Sequence, residues 1–370
     1  MKAQNSPPAP GAVQLVLHYT GADDDRGGVM SVVRALATAK RFECVLGVNP
    51  GFVQRRVPLL ATLEQPRLEG EVIGWRTVWR ARVVAREVRA WLRADAARLF
   101  HGHSRAGLIV ALWLARWGER RVIVSVHCYG RQRWFYRWAA RRLPGRLYWL
   151  SPAMKRYYRV ADETWAQCIP GCVPARAELP GQSRGRKNAQ LRLGGVGALV
   201  RWKQWHLVVG ALAALPRETR GQVKFLHVGA PGNDADSQRY AAELRALTQS
   251  HGLAGNIEWR GERPSADSLL AEIDCLVVAS HHEPFSVAVL EALAAGVPVL
   301  AADSGGASDL LVSGETGWLF RSSDVADLAR AMTRLVESDA LGRARVAPDA
   351  VRQFTAPVVA ARWQEVYSAL

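Results

Sequence analysis

The pattern of apolar and polar positions predicts alternating strands and helices, most clearly in the C-terminal half. Residues 274–279 form an apolar run of strand length, and a polar loop follows at 281–284. Residues 285–295 have apolar positions at helical spacing, Gly296 is a helix stop, and 297–302 is a second buried strand. This order is typical of a βαβ unit, whose parallel sheet binds ligands beyond the carboxyl ends of its strands.

The same alternation continues through the remainder of the chain. Apolar runs predict strands at 13–18, 42–48, 99–104, 121–127, 147–151, 222–228 and 257–260. Helical spacing predicts helices at 29–39, 75–92, 106–117, 240–251 and 326–336. We therefore expect an α/β protein with doubly wound domains.

Two carboxylates mark the end of the first βαβ unit described above. Glu283 lies in its loop, and Glu291 lies in its helix between apolar neighbours. Each could be an ordinary solvated acid, but a carboxylate also accepts two hydrogen bonds at once, which suits paired sugar or ribose hydroxyls. The backbone N–H groups of Phe285 and Ser286 are predicted at a helix start, where an anion is stabilised. The combination fits a nucleotide-sugar.

The motif order around these acids resembles a family signature. Glu283-Pro284-Phe285-Ser286 is followed by Glu291, Gly296-Val297-Pro298-Val299, Gly305-Gly306 and Gly314-Glu315-Thr316-Gly317. This run resembles family 4 retaining glycosyltransferases, also described as glycosyl transferases group 1. The resemblance implies a GT-B fold, in which two Rossmann-like doubly wound domains face an interdomain cleft. An unrelated α/β domain with chance acids is the alternative.

The resemblance also implies a division of labour along the chain. Residues 1–170 would bind the acceptor, 171–355 would bind the nucleotide-sugar, and 356–370 would form a terminal helix that packs back on the first domain. Residues 178–190, rich in Gly, Arg and Ser, are predicted to be the interdomain linker.

Individual site residues follow from the same resemblance. Glu291 would hold the ribose hydroxyls, and Glu283 would hold the donor sugar. Lys203 would bind the diphosphate, and His127 would contact the sugar from the other domain. The predicted catalytic residues are Glu283, Lys203 and His127. The predicted donor-binding residues are Gly28, Arg201, Lys203, Arg263, Glu283, Phe285, Ser286 and Glu291.

The chain departs from the family pattern at its phosphate site. Ala198 stands where the family has an arginine, and either Arg201 or the first domain could supply the missing charge. A cation at this position stabilises the departing diphosphate, so its loss raises the alternative of impaired transfer. Gly171 and Pro174 also replace an Asn and an Asp that the family has at its hinge.

No cofactor and no metal ion are expected. The resemblance implies a front-face mechanism in which the leaving phosphate helps to deprotonate the acceptor, without a protein nucleophile. Asp23-Asp24-Asp25 is similar to a metal-binding acidic motif of the GT-A fold, but its place in the first βα loop favours a solvated loop. Cys168 and Cys172 have no second cysteine or histidine pair nearby in sequence, which disfavours a metal site.

The net positive charge lies entirely in the first 170 residues of the chain. The net charge is +16, and residues 1–170 hold 28 Lys and Arg against 12 Asp and Glu, whereas 171–370 hold 21 of each. Such asymmetry predicts an anionic partner, which could be membrane phospholipid, nucleic acid or an acidic acceptor.

Two stretches concentrate these cations. One is the helix predicted at 75–92, and the other, residues 129–149, interleaves arginines with aromatic residues. The aromatic rings could be core residues, could stack nucleic-acid bases, or could lie at a phospholipid interface. Family members with lipid-linked acceptors often have such a patch, so we favour an anionic membrane surface. The predicted membrane or acceptor patch is Arg131, Arg133, Trp134, Arg137, Trp138 and Arg141.

The resemblance thus implies a retaining, metal-independent transferase that moves a hexosyl-type sugar from a nucleotide-diphosphate donor to a glycan or lipid-linked acceptor. We expect a role in bacterial cell-envelope polysaccharide or lipopolysaccharide synthesis. No signal peptide is evident, and the odd number of cysteines suits reduced thiols, so the expected location is cytoplasmic and peripheral on the inner membrane face. The alternatives are a nucleic-acid-binding α/β protein and a donor-binding GT-B protein with impaired transfer.

Overall fold

The computed structural model describes residues 14–56, 58–68, 74–175, 190–338, 341 and 348–370. The chain divides into two compact units, which are Met1–Ala175 with Phe354–Leu370, and Arg176–Gln353. The predicted linker at 178–190 lies outside the described residues except for Gln190.

The first unit is built on a parallel sheet. Its strands are β1 (Leu15–Tyr19), β2 (Glu43–Val48), β3 (Ala61–Glu64), β4 (Arg98–Gly102), β5 (Val122–Val126), β6 (Leu147–Trp149) and β7 (Gln167–Cys168). Its helices are α1 (Gly28–Thr38), α2 (Trp75–Arg93), α3 (Arg105–Arg116), α4 (Arg133–Arg142) and α5 (Pro152–Tyr158). The seven strands pair in the order β3-β2-β1-β4-β5-β6-β7.

Helices α2, α3 and α4 share one face of the first sheet with each other. The connections through α2, α3 and α4 all run in the same direction across the strand order, and right-handed crossovers then place them on the same side. Helix α3 packs against both α2 and α4. The connection through α1 runs in the opposite direction, which places that helix on the other side.

The second unit has the same plan. Its strands are β8 (Leu191–Val196), β9 (Val223–Val228), β10 (Ile257–Trp259), β11 (Cys275–Val278), β12 (Val299–Ala302) and β13 (Gly317–Phe320). Its helices are α6 (Trp205–Ala214), α7 (Arg217–Gly221), α8 (Ala235–Ser250), α9 (Asp267–Glu272), α10 (Val287–Ala294) and α11 (Val325–Glu337). The order of the parallel strands is β10-β9-β8-β11-β12-β13.

Each sheet has one point at which the chain reverses its direction of winding. In the first sheet this point lies between β1 and β4, and in the second between β8 and β11. The loops beyond the carboxyl ends of two such strands diverge to opposite faces and leave a crevice, which is the usual ligand site of an open α/β sheet. The candidate ligand-binding loops are therefore those after β1 and β4 in the first unit and those after β8 and β11 in the second.

The last helix, α12 (Ala356–Ser368), belongs to the first unit. The Tyr367 hydroxyl lies 2.6 Å from His101 Nδ1, and the Tyr367 ring packs edge-on against Phe42. Trp363 is 2% exposed and its ring contacts His101 as well. Because these aromatic side chains are buried in the first unit, the chain returns to it after completing the second.

Candidate functional site

Backbone hydrogen bonds join three loops at the carboxyl edge of the second sheet. The His281 N–H donates to the Trp202 carbonyl oxygen at 2.7 Å, which ties the loop after β11 to the loop after β8. The Gly306 N–H donates to the Glu283 carbonyl oxygen at 2.6 Å, which ties the loop after β12 to the same segment. These hydrogen bonds therefore hold together the loops that carry the predicted site residues Lys203 and Glu283.

Lys203 and Glu283 form an ion pair at this edge. Lys203 ends a single 3₁₀ turn, Arg201–Lys203, and its Nζ lies 2.6 Å from Glu283 Oε2. The two side chains are 14% and 7% exposed, so water screens the pair only weakly. The Lys203 ammonium also lies over the Trp202 ring, 4.3 Å from its centroid. Two residues that were predicted separately, 80 positions apart, are in direct contact.

The backbone geometry of the loop after β12 requires a glycine at position 305. Its φ is +75°, and a Cβ at this position would lie 2.3 Å from the Glu283 carbonyl oxygen. Only glycine combines that backbone conformation with so close an approach. The loop after β12 therefore fixes the backbone of Glu283 from one side.

The helix predicted at 285–295 begins two residues later than expected, at Val287. Ser286 is its N-cap, because the Ser286 hydroxyl accepts a hydrogen bond from the Val289 N–H at 3.4 Å. Phe285 and Ser286 thus precede α10, and the prediction that they are its first helical residues is wrong. Both side chains are buried, whereas Glu291 lies in the second turn of α10 and is half-buried.

The other predicted cations of the second unit take different positions. Arg201 is half-exposed and pairs with Asp236 and Glu243 of α8, at 3.3 Å and 2.8 Å. Arg263 lies exposed in the loop after β10. Ala198 is exposed and leaves the loop after β8 without a charge at that position. Lys203 is thus the cation that directly meets Glu283, and a role for Arg201 or Arg263 at the phosphate stays a prediction.

In the first unit, His127 directly follows β5. Its Nε2 lies 2.9 Å from Nδ1 of His103, which directly follows β4. Burial lowers the pKa of His127 to about 4, so this imidazole is neutral near pH 7. Neither His103 nor its partner His18 is among the site residues predicted above. The His-Gly-His sequence at 101–103 and the strand-end position of His18 were the available signals.

The first βα loop of this unit differs from its prediction. Gly28 is the first residue of α1 and is exposed, as a backbone approach to a ligand would require. Asp25, however, is buried rather than solvated. It pairs with Arg34 at 2.9 Å and accepts the backbone N–H groups of Arg55 and Arg56, so it stabilises the loop.

The predicted basic patch is divided between surface and core. Trp134 and Trp138 are 63% and 42% exposed, whereas the neighbouring Phe135 and Tyr136 are buried. Arg131 and Arg141 are exposed, and Arg133 and Arg137 are half-buried. The structure adds two tryptophans that the sequence analysis missed, Trp75 and Trp79 of α2, which are 76% and 61% exposed.

Comparisons with known proteins agree with this architecture. Residues 182–350 match the profile of the family described as glycosyl transferases group 1. The match covers nearly all of the second unit, Arg176–Gln353. A D-inositol 3-phosphate glycosyltransferase of Stackebrandtia nassauensis is 37% identical over 148 residues, which are 39% of this chain and 32% of that protein. The lipopolysaccharide core biosynthesis glycosyltransferase LpsE of Rhizobium meliloti is 29% identical over 152 residues, 41% of each chain.

The group 1 match and these relatives thus concern part of each protein, and the chain spans less than half the length of either relative. Solved structures extend the likeness in fold to the whole chain. HepE of Anabaena, in complex with UDP and glucose, has a TM-score of 0.74 at 18% identity, over 96% of this chain and 100% of that one. WaaG, a glycosyltransferase involved in lipopolysaccharide biosynthesis, has a TM-score of 0.67 at 17% identity, over 95% and 99%. The predicted GT-B fold class is confirmed.

Within the described residues, none of the helices combines the length and the apolar character that crossing a membrane requires. All five cysteines are described, and each is a free thiol.

Proposed function

We propose that this protein is a glycosyltransferase that takes its sugar from a nucleotide-diphosphate donor bound at the carboxyl edge of the second sheet. The observation that supports this most strongly is the Lys203–Glu283 pair, at the β8–β11 switch point and beside α10. One loop edge then offers a cation for phosphate and carboxylates for hydroxyls, as a nucleotide-sugar requires.

The proposed roles follow from the chemistry of each group. Lys203 would exchange part of its contact with Glu283 for the diphosphate and stabilise the charge that grows as the glycosidic bond breaks. Glu283, relieved of its full ion pair, would accept hydrogen bonds from the sugar, and Glu291 would accept them from the ribose. Transfer with retention and without a metal ion remains part of the proposal.

The donor site is tested with Glu291→Ala. A thermal-shift screen of UDP-, GDP- and ADP-sugars first identifies the base, since a ligand that binds only the folded form raises the melting temperature. Calorimetry with the matching nucleoside diphosphate should then show affinity reduced by about 1–3 kcal/mol in Glu291→Ala. Glu218→Ala, which removes an exposed acid of α7, is the control. No shift with any sugar nucleotide, or equal affinity in both variants, would contradict the proposal.

The proposed acceptor is a glycan or lipid-linked molecule of the bacterial cell envelope. The lipopolysaccharide enzymes among the similar proteins support this acceptor class, while other relatives carry different names. Incubation with radiolabelled donor and membrane extracts should label a lipid-extractable or polysaccharide product. Label that appears solely as free sugar would favour a donor-binding protein with impaired transfer.

We further propose that α2 and α4 place the first unit on an anionic membrane. All four exposed tryptophans among the described residues of this unit lie on these two helices, which share one sheet face. Arginines accompany them, and a groove of about 430 Å³ on α2 is lined by Arg82, Arg86, Arg89, Ala90, Arg93 and Trp117. Tryptophan suits headgroup depth, and arginine suits lipid phosphate.

Vesicle co-sedimentation tests this surface. The double variant Arg131→Glu, Arg141→Glu should bind phosphatidylglycerol vesicles less tightly, and wild-type protein should bind them more than phosphatidylcholine vesicles. Arg217→Glu, Arg245→Glu makes the same charge change in the second unit and should behave as wild type. Sedimentation independent of anionic lipid, or salt-sensitive retention of RNA with no lipid binding, would overturn the membrane proposal.

A further inference from the structure

A groove on the helix layer of the first unit concentrates arginine side chains. It has a volume of about 430 Å³, and we call it the arginine groove, lined by Arg82, Arg86, Arg89, Ala90, Arg93 and Trp117. The four arginines stand four, three and four positions apart on α2, so they share one face of that helix, beside its buried apolar stripe. Trp117 caps the C-terminal end of α3, which packs against α2. The arginine groove therefore lies along α2 and borders the end of α3.

The arginine groove has no acidic partner for its positive charge. Within the described ranges, none of its four arginines forms an ion pair with an Asp or Glu side chain. By contrast, Arg121, shortly after Trp117, pairs with Glu119 at 3.1 Å. The acid of α2, Glu87, is one position from Arg86 and so lies about 100° around the helix from it. Like charges at this helical spacing repel one another, and a bound anion would relieve that repulsion.

Two tryptophans at the end of α3 hold two of these guanidinium groups in place. Arg82 Cζ lies 5.4 Å from the centroid of the Trp113 ring, and Arg89 Cζ lies 5.5 Å from that of the Trp117 ring. Arg89 Nη2 also donates to the Trp117 carbonyl oxygen at 2.8 Å. The two tryptophan rings pack together with their centroids 5.7 Å apart, and Trp113 Nε1 donates to the Val78 carbonyl oxygen at 3.0 Å. Side chains that are held in this way lose less conformational entropy when a ligand binds.

One hydrogen-bond donor of the arginine groove lacks an acceptor. Arg89 is half-buried, and its Nε is buried without a hydrogen-bond partner in the part of the chain that the structure describes. A buried N–H group without an acceptor is costly, and native proteins rarely leave one unpaired. An oxyanion bound beside Arg89 would supply the missing acceptor. This observation is independent of the charge count and also indicates an anionic ligand.

We propose that the arginine groove binds a ligand that carries at least two phosphate groups. A guanidinium offers a planar fork of donors that matches the oxygens of a phosphate. Neighbouring arginines of the groove are separated by about one helical turn, ~5.4 Å, so a single phosphate meets one neighbouring pair. From Arg82 to Arg93 the helix advances by roughly 16 Å, which accommodates two or more phosphates in a row. The volume of the groove also lies in the range of small-molecule sites.

The arginine groove is separate from the ligand crevice of the first sheet. Crossover helices of a parallel sheet run antiparallel to its strands, so α2 and α3 end near the amino edge of the sheet, whereas the crevice lies at the carboxyl edge. The groove extends the proposed membrane surface, because it lies on α2, but phosphate binding there requires neither a nucleotide-sugar nor a membrane. A lipid headgroup and a soluble molecule are both sources of phosphate groups, and the experiments below distinguish them.

Calorimetry of the full chain with sodium tripolyphosphate tests the site, in about 0.15 M NaCl to screen charges more than ~8 Å apart. The double variant Arg86→Gln, Arg93→Gln removes two exposed cations of the groove, and its affinity should fall about tenfold. The matched control, Arg76→Gln, Arg80→Gln, makes the same charge change at exposed positions of α2 outside the groove and should behave as wild type. Since the proposed donor site also attracts phosphates, the groove is identified as the site that the first variant loses and the control retains.

A charge-conserving variant separates recognition of phosphate from general attraction between charges. Arg86→Lys, Arg93→Lys keeps both positive charges but replaces each forked guanidinium with a point charge. Its affinity for tripolyphosphate should also fall, though by less than in the glutamine variant. Melting temperatures without tripolyphosphate will show that each variant is folded. Equal affinities in wild type and either of these two variants would overturn the proposal.

Competition for the bound tripolyphosphate identifies the source of the phosphates. Displacement by phosphatidylcholine vesicles that contain cardiolipin, whose headgroup has two phosphates, would support a lipid ligand if charge-matched phosphatidylglycerol vesicles displace it less. No displacement by either vesicle would support a soluble ligand. Salt-sensitive RNA binding without a saturable tripolyphosphate site would overturn the proposal in favour of a nucleic-acid surface. Saturable tripolyphosphate binding without vesicle sedimentation would instead contradict the membrane proposal and leave this one supported.

Discussion

The contact between Lys203 and Glu283 constrains how the proposed donor site can work. A buried ion pair is weak evidence of net stability, because the cost of removing two charges from water offsets their attraction. Removing one partner is a different matter, since it leaves the other charge buried alone. Lys203 and Glu283 therefore depend on each other. An incoming phosphate, itself an anion, can share the Lys203 ammonium with Glu283.

We predict that Lys203→Met lowers the free energy of unfolding of the second unit by about 3–5 kcal/mol, because Glu283 is left buried without its cation. Urea unfolding measures this loss. Lys224→Met is the control, since Lys224 lies 3.9 Å from Glu258 with side chains 37% and 46% exposed, and such pairs contribute about 0–1 kcal/mol. Similar losses in both variants would show that the Lys203–Glu283 pair is no more than a surface contact.

The sequence identified both members of this pair but not their contact. Motif spacing places Glu283 and Lys203 at strand ends, and ends of parallel strands share one edge, so proximity was expected. Whether an arginine or a lysine faces Glu283 depends on side-chain directions within a single 3₁₀ turn. There Arg201 pairs with Asp236 and Glu243 of α8 instead, and no local pattern in the sequence indicates that choice.

At the scale of elements, the loops after β11 and β12 form one structure. The Gly306 N–H and the Glu283 carbonyl oxygen bond at 2.6 Å, and the backbone of Gly305 lies against the same residue. The glycine pair is thus a backbone support for a candidate catalytic carboxylate. A second glycine of the signature, Gly314, also has a positive φ but stands in open space.

This difference yields a matched pair of variants. Gly305→Ala places a Cβ 2.3 Å from the Glu283 carbonyl oxygen, whereas Gly314→Ala meets nothing within 4 Å. Both pay about 1–2 kcal/mol for a positive φ, and we predict that Gly305→Ala loses more stability and also nucleotide-sugar affinity. Thermal unfolding and calorimetry compare them. Equal behaviour of the two variants would mean that Gly305 does not support Glu283.

Elements with clear periodicity were predictable, and those without it were not. The amphipathic pattern placed α2 at 75–92, and the structure has Trp75–Arg93. Helix α6 was missed because Trp205–Ala214 is apolar on nearly all sides and shows no polar face to set its period. Short elements such as β7 and α5 depend on neighbouring parts of the sheet, which local sequence does not contain.

At the scale of the molecule, the two units share a winding plan but differ in charge and in buried chemistry. The excess positive charge lies in residues 1–170, together with the exposed tryptophans of α2 and α4. The same unit holds four histidines of lowered pKa, namely the buried His18, His101 and His103 and the half-buried His127. The sequence alone shows the charge asymmetry. The histidine asymmetry depends on burial, which only the fold reveals.

The histidine asymmetry predicts that acid unfolds the first unit before the second. Each of its four histidines has a folded pKa below the unfolded value of about 6.5, so the unfolded chain binds more protons. Their stabilising contribution is complete above pH 6.5 and is lost as the pH falls toward the folded pKa, by about 1.4 kcal/mol per pH unit for each fully neutral histidine. In the second unit, burial lowers the pKa of two histidines, His206 and His227. Amide hydrogen exchange can be measured at pH 7 and pH 5 and corrected for intrinsic exchange rates. At pH 5, protection should be lost first in β1, β4 and β5. Equal loss of protection in both sheets would contradict this expectation.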